Sequence, residues 1–119
     1  MKTKMQATTT LPNFTASEVE GLTDEMKLLL QAVRTAAGVP IMITSGLRPG
    51  DTKSEHSLGM GVDISDNLKG EPITSPWRLK VVKAAILSGC RRIGVYDRHI
   101  HIGCSQSHPQ DVMWQGVSE

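Results

Sequence analysis

Along this chain of 119 residues, each of two helix-like stretches is followed by two short runs rich in β-branched apolar residues. The runs predicted as strands are residues 39–44, 61–65, 92–96 and 99–103, and residues 112–114 are either a last edge strand or a segment packed on the sheet. Thr23 and Gly38 bound the first predicted helix, and Ser75 and Gly89 bound the second. This order predicts an α+β domain with a small, mostly antiparallel sheet and helices packed on one face.

The length of the chain allows one compact core. Residues 1–10 are polar and rich in Thr, so we predict a flexible N-terminal segment there and a single domain over residues 11–119. Four aromatic side chains occur besides the histidines, and they are Phe14, Trp77, Tyr96 and Trp114. The core is therefore expected to consist mainly of Leu, Ile, Val, Met and Ala.

Charge and hydropathy argue against several classes of partner. A formal charge of +1 gives no electrostatic reason to expect binding to nucleic acid or to a membrane surface. No apolar run approaches the roughly 20 residues of a membrane span. Lys2 and Lys4 are not followed by an apolar stretch, so no secretory signal is predicted and the chain is expected to be made in the cytoplasm. We also expect the protein to be a monomer. We expect Cys90 and Cys104 to be reduced thiols rather than a disulfide.

Histidine and aspartate residues occur where a sheet could bring them together. His56 precedes Asp63 in one segment, and His99 and His101 are two apart on a predicted strand, so they share a face. If Asp63 lies on a neighbouring strand, its carboxylate can meet that pair, and His56 can approach from the preceding loop. Two His and one Asp with a fourth position open to water form the ligand set of a catalytic zinc site. The spacing also allows the alternative, in which these histidines are ordinary polar residues of the core or the surface.

Residues 54–64 carry the pattern SxHxxGxGxDI, in which Gly59 and Gly61 are expected to let the backbone turn tightly and approach a metal. The flanking segments are Ser-Gly-Leu-Arg at 45–48, Gly-Val-Tyr at 94–96 and His-Ile-His at 99–101. In this order the segments resemble the M15 family of zinc peptidases, which includes D-alanyl-D-alanine carboxypeptidases and phage L-alanyl-D-glutamate endopeptidases. The resemblance covers most of the chain, from about residue 11 to residue 114.

This resemblance implies a fold like that of the hedgehog signalling domain and of the D-alanyl-D-alanine peptidases, with zinc as the cofactor. The zinc ligands that it implies are His56, Asp63 and His101. Arg48 would hold a substrate carboxylate or polarise its carbonyl group, a role that suits a planar cation with fixed donors.

The general base is the part of the site where this sequence departs from the family pattern. Many members carry Glu or Asp three residues before the last zinc histidine, where this chain has Arg98, and many short phage members carry Asp two residues after it, where this chain has Gly103. By analogy with the hedgehog domain, Asp97 is predicted to be the base and His99 to hydrogen-bond the developing oxyanion. The alternative for Asp97 is a turn residue in a tight hairpin. Glu55 is a second candidate for the base, although it would point away from the site if its segment is extended.

These features together predict a zinc-dependent peptidoglycan peptidase of phage or prophage origin, acting like an endolysin on an amide bond of the cell-wall stem peptide. The bond would be that of a D-alanyl-D-alanine carboxypeptidase or of an L-alanyl-D-glutamate endopeptidase. Such an enzyme would reach the wall after release from the cell or as part of a virion. One alternative is a catalytically silent zinc domain that binds a partner, and another is a purely structural zinc site.

Overall fold

The computed structural model describes residues 10–46 and 54–117, so residues 1–9 of the predicted flexible segment 1–10 lie outside the described residues, as does the predicted substrate-binding Arg48. The elements in these two ranges are α1 (Asp24–Ala37), β1 (Met42–Ser45), β2 (Gly61–Ser65), α2 (Ser75–Leu87), β3 (Arg92–Val95), β4 (Ile100–Gly103) and β5 (Val112–Gln115). They confirm the predicted α+β class. Within the same ranges, neither helix is long and apolar enough to cross a membrane.

The five strands form one mixed sheet in the order β1-β2-β4-β3-β5. Strands β1, β2, β4 and β3 pair antiparallel with their neighbours, as predicted, whereas β5 pairs parallel with β3. The predicted segment 112–114 is therefore an edge strand. The register between β1 and β2 shifts between Ile43 and Ser45, as at a β-bulge.

The hydrophobic core lies between the two helices and one face of the central strands. Val62 pairs with Ile102 and Ile64 with Ile100 across β2 and β4, and all four side chains are fully buried. The helix residues of the same core are Met26, Leu30 and Val33 from α1 and Trp77, Val81, Ala84 and Ala85 from α2. Burial of each large aliphatic side chain contributes about 1.5–3 kcal/mol. Because side chains alternate along a strand, the residues between these apolar positions lie on the opposite face of the sheet, where the polar side chains are found.

The ends of the first helix follow the prediction. The Thr23 hydroxyl accepts a hydrogen bond from the Met26 backbone N–H at 3.2 Å, and Gly38 ends the helix in the left-handed conformation with φ of 68°. The second helix differs by one residue at its start. Thr74, whose backbone is extended, is the N-cap, so the predicted cap Ser75 is already the first helical residue.

Three predicted strand boundaries are too wide. The first strand begins at Met42 rather than at residue 39, and Pro40 has no N–H to donate to a partner strand. Strand β3 ends at Val95 and β4 begins at Ile100, because the turn between them is closed by a hydrogen bond from the Tyr96 N–H to the His99 carbonyl at 3.0 Å. His99 therefore lies just before β4 rather than within it.

Candidate metal centre

Three predicted ligands converge on the polar face of the sheet. His56, Asp63 and His101 each place one ligand atom within 4.8 Å of the other two. His56 Nε2 lies 3.2 Å and His101 Nδ1 lies 3.0 Å from the same Asp63 oxygen, Oδ1. Asp63 and His101 are partners in the β2–β4 pairing, whereas His56 comes from the turn before β2. All three are buried, with at most 7% of each residue exposed.

In each imidazole ring, the nitrogen that does not face Asp63, here called the outer nitrogen, lies against a hydrogen-bond acceptor. His56 Nδ1 donates to the backbone carbonyl of Gly46, and His101 Nε2 lies against Oε1 of Glu55, both at 2.8 Å. Because a carbonyl oxygen can only accept, His56 Nδ1 carries a proton, and Nε2 is the nitrogen that faces Asp63. Metal-binding histidines are commonly oriented by such a carbonyl or carboxylate partner.

The charges around the three ligand atoms favour a cation between them. Burial by itself would raise the pKa of Asp63, but hydrogen bonds and charge from His101 and His56 lower it well below its usual value. Burial by itself would lower the pKa of His101, but Asp63 and Glu55 raise it. Two imidazole nitrogens and a carboxylate oxygen are the donors that zinc takes in proteins, so these residues fit a zinc ion.

Glu55 also belongs to this centre. Residues 55–59 form a turn rather than the extended segment in which Glu55 would point away, and only 4% of Glu55 is exposed. One carboxylate oxygen accepts the Ser105 N–H at 3.1 Å and lies 2.9 Å from Arg92 Nε, and the other lies 2.8 Å from His101 Nε2. Burial raises the pKa of Glu55, but these partners outweigh it and lower the pKa. Glu55 is therefore an ionised acceptor beside the ligands.

Gly59 and Gly61 make room for packing beside the site, and Gly59 also provides the tight turn that the sequence predicts. Gly59 has φ of 70°, and a Cβ atom there would lie 2.3 Å from the carbonyl oxygen of Gly21. A Cβ atom at Gly61 would lie 2.7 Å from the Glu55 Cβ and 2.8 Å from the His101 Cε1. Space for side chains, together with one left-handed backbone conformation, accounts for both glycines.

An open cleft of about 470 Å³ leads to the ligands. His99 borders it, with Nε2 at 3.7 Å from Asp63 Oδ2, and stacks on Tyr96 with ring centroids 4.3 Å apart. The indole N–H of Trp114 donates to the Tyr96 hydroxyl at 3.0 Å. The other lining residues are Ser54, Glu55, His56, Asp63, Arg92, His101, His108 and Val117. The predicted position of His99 beside the ligands agrees with this geometry.

Asp97, the predicted base, lies in the turn between β3 and β4 and does not line this cleft. Its side chain is 46% exposed, and one oxygen lies 3.6 Å from Arg98 Nε. It borders a neighbouring hollow together with Arg78 and Gln115. The structure thus brings His99 to the ligands and places Asp97 at a neighbouring hollow, and Tyr96 lines both spaces.

Arg92 and Trp114 are site residues that the sequence does not indicate. Arg92 begins a predicted strand, where a solvated cation is usual, yet only 8% of it is exposed. Its guanidinium carbon lies 5.2 Å from the centre of the Trp114 ring, and Nη1 donates to the Pro109 carbonyl at 2.6 Å. A Cβ atom at Gly94 would lie 2.6 Å from the Trp114 ring, so this glycine makes room for the cleft wall. The sequence signal for that wall is Gly94, a glycine inside a predicted strand.

No protein-family model matches the sequence, and the comparison with curated proteins finds no match. The resemblance to M15 zinc peptidases therefore stays a prediction that depends on the segments 45–48, 54–64 and 94–101. The same holds for the hedgehog-like fold, beyond the α+β architecture described above.

Proposed function

We propose that this protein is a zinc-dependent peptidase that hydrolyses an amide bond in the stem peptide of peptidoglycan. The convergence of His56 Nε2, Asp63 Oδ1 and His101 Nδ1 is the observation that carries this proposal. The three ligand residues line an open cleft, so a fourth position can face water or substrate. Three protein ligands and an open position are typical of catalytic zinc sites, whereas structural sites are closed by four protein ligands.

The residues of the cleft have separate tasks in this reaction. Zinc held by the three ligands would supply a water of lowered pKa and a polarised carbonyl group. His99 is proposed to hydrogen-bond the oxyanion that develops on the scissile carbonyl, because it borders the cleft 3.7 Å from Asp63. The Tyr96 ring stacks on His99 and fixes the direction of its imidazole. Arg48 is proposed to bind the substrate carboxylate.

The stem peptide is proposed as the substrate from the resemblance of the SxHxxGxGxDI and His-Ile-His segments to M15 peptidases. A cleft of about 470 Å³ is within the range of small-ligand sites, roughly 300–1,000 Å³. It therefore has room for a short peptide around the scissile bond. Phage or prophage origin, and arrival at the wall after release or in a virion, belong to the same proposal.

The position of Asp97 favours a second candidate function, a zinc domain that binds a partner without hydrolysing it. A general base must lie within hydrogen-bond reach of its proton, directly or through one water. Asp97 borders the neighbouring hollow instead of the cleft. Hydrolysis with Asp97 as the base requires its carboxylate to move to the cleft when substrate binds. Binding without hydrolysis requires no such movement.

Incubation of the purified protein with muropeptides, analysed by mass spectrometry, tests the hydrolase. We expect zinc-loaded protein to release product, and chelated protein and the Asp63→Asn variant to release none, whereas Asp24→Asn serves as a matched surface control. The Asp97→Asn variant should retain zinc and lose about 10²–10⁴-fold in rate if Asp97 is the base. Zinc binding without chelator-sensitive cleavage of any muropeptide would contradict the hydrolase and favour the binding domain.

A further inference from the structure

Glu55 is a buried carboxylate that touches a metal ligand without being one of the three converging residues. We propose that Glu55 is a positioning residue, which holds the His101 ring with Nδ1 directed at the metal and the Nε2–H directed away from it. This role presupposes that the site binds zinc, as proposed for the function. It assigns to Glu55 a task different from that of a general base.

Both oxygens of the Glu55 carboxylate have partners other than the three ligand atoms. Oε1 lies 2.8 Å from His101 Nε2, on the side of the ring opposite to the nitrogen that faces Asp63. Oε2 accepts the Ser105 N–H at 3.1 Å and lies 2.9 Å from Arg92 Nε. A carboxylate fixed at both ends orients the His101 ring and cannot swing freely to take a proton in the cleft.

The sheet contains a notch that fits the Glu55 side chain. Gly61 and Gly103 are partners in the β2–β4 pairing, two positions along each strand from the Asp63–His101 pair and hence on the same face. A Cβ atom at Gly103 would lie 2.2 Å from Glu55 Oε2, and one at Gly61 would lie 2.7 Å from the Glu55 Cβ. Two facing glycines therefore provide the space that lets a carboxylate reach His101.

Arg92 supplies the countercharge that keeps this carboxylate ionised. Its Nε lies against Glu55 in a buried setting, where an unpaired negative charge would be costly. The Pro109 carbonyl and the face of the Trp114 ring hold the guanidinium in place. An ionised acceptor on the outer nitrogen of a zinc-bound imidazole fixes its tautomer and makes the other nitrogen a stronger ligand.

Zinc affinity, measured by competition with a chromophoric chelator, tests this role. In Glu55→Gln the amide N–H₂ faces either His101 Nε2 or the Ser105 N–H and Arg92, so neither placement of the amide satisfies all three partners. We expect zinc binding to weaken by about 10–100-fold. Glu18→Gln is the matched control, because Glu18 is exposed and accepts the Thr15 N–H at 2.8 Å, a capping-box contact that a glutamine oxygen can also make. The zinc affinity of this variant should be unchanged.

The ¹⁵N chemical shifts of His101 give a second measurement that does not depend on zinc. In metal-free protein, at a pH above the pKa of His101, the wild type should carry its proton on Nε2. Glu55→Gln should show a mixture of the two tautomers. If wild-type protein fails to bind zinc while its tautomer depends on Glu55, the proposed zinc enzyme fails, and only the orientation of the His101 ring by Glu55 stands.

A carboxylate moved to the facing strand provides the rescue experiment. Glu55→Ala should lose zinc affinity, and the double variant Glu55→Ala/Gly103→Asp should regain part of it, because the new side chain starts where the Glu55 carboxylate lies. A folded double variant that binds zinc no better than Glu55→Ala would count against the proposal. Wild-type zinc affinity and an unchanged His101 tautomer in Glu55→Gln, with only the melting temperature lowered, would overturn it.

Discussion

The two faces of strands β2 and β4 carry opposite chemistry, although their residues alternate along the same backbone. Val62 and Ile102 lie on the face that packs under the helices, where they are fully buried. Asp63 and His101 face each other on the other side, within hydrogen-bond distance. The first face needs only apolar side chains of suitable volume, whereas the second needs particular atoms at particular distances. Stability and metal binding should therefore respond separately to substitution.

Removal of the central ligand on the polar face should have the largest effect. In Asp63→Asn the oxygen that both imidazole rings approach loses its charge, so zinc binding should weaken by more than about 100-fold, since even an outer partner of a ligand contributes 10–100-fold. Chelator competition measures the affinity and circular dichroism monitors the fold. Zinc affinity close to that of the wild type in a folded Asp63→Asn variant would contradict the assignment of the ligands.

Truncation on the apolar face should give the opposite result. Ile102→Ala leaves a cavity at a fully buried position, so the free energy of unfolding should fall by about 2–5 kcal/mol. The folded molecules should keep their zinc affinity, because Ile102 points away from the ligands. Urea unfolding measures the loss, and Met113→Ala, at an exposed position of β5, should change stability by less than about 0.5 kcal/mol. Equal losses of stability in Ile102→Ala and Met113→Ala would contradict the role assigned to the buried apolar face.

The apolar face could be predicted from local patterns, because alternation and capping residues act over a few positions. The convergence of His56, Asp63 and His101 could also be predicted, since these residues belong to two recognisable segments. Glu55 could not be placed, because its direction depends on a turn and on a notch made by two strands far apart in sequence. The base could not be placed either, since the direction of Asp97 depends on how the β3–β4 turn packs.

The pH dependence of the metal-free protein should expose the charges of the polar face. Glu55 and Asp63 have lowered pKa values, so their contribution to stability is present above the ordinary carboxyl pKa and is lost as the pH falls through the lowered values. His101 has a raised pKa, so its contribution is present below its ordinary value of 6.5 and is lost as the pH rises through the raised value. The melting temperature should therefore be highest at roughly pH 5 to 6.

Zinc should remove the alkaline part of this profile, because the metal takes the place of the proton between the ligands. Melting temperatures from pH 4 to pH 9, with zinc and with chelator, measure the difference. A metal-free profile that is flat between pH 6 and pH 9 would contradict the raised pKa of His101.

A change in the cleft wall should have the smallest effect. Trp114→Phe keeps one aromatic ring and removes the N–H that donates to the Tyr96 hydroxyl, so the lost hydrogen bond should cost about 0.5–1.5 kcal/mol of stability, in addition to the packing of the lost ring over Gly94. Zinc affinity should stay within the error of the measurement, since Trp114 supplies no ligand atom. Thermal denaturation and chelator competition on the same sample check both statements. A clear loss of zinc affinity would mean that the wall helps to hold His101, whose ring centre lies 5.7 Å from that of Trp114.

The Asp63–His101 pair lies on the seam between β2 and β4, which divides the sheet into β1-β2 on one side and β4-β3-β5 on the other. A metal ion at this seam would join the two parts of the sheet. Its ligands meet only once β2 and β4 are paired, so the ion should slow unfolding and leave the folding rate almost unchanged. The working lifetime of the protein, rather than its equilibrium stability alone, would then depend on how long the metal stays bound.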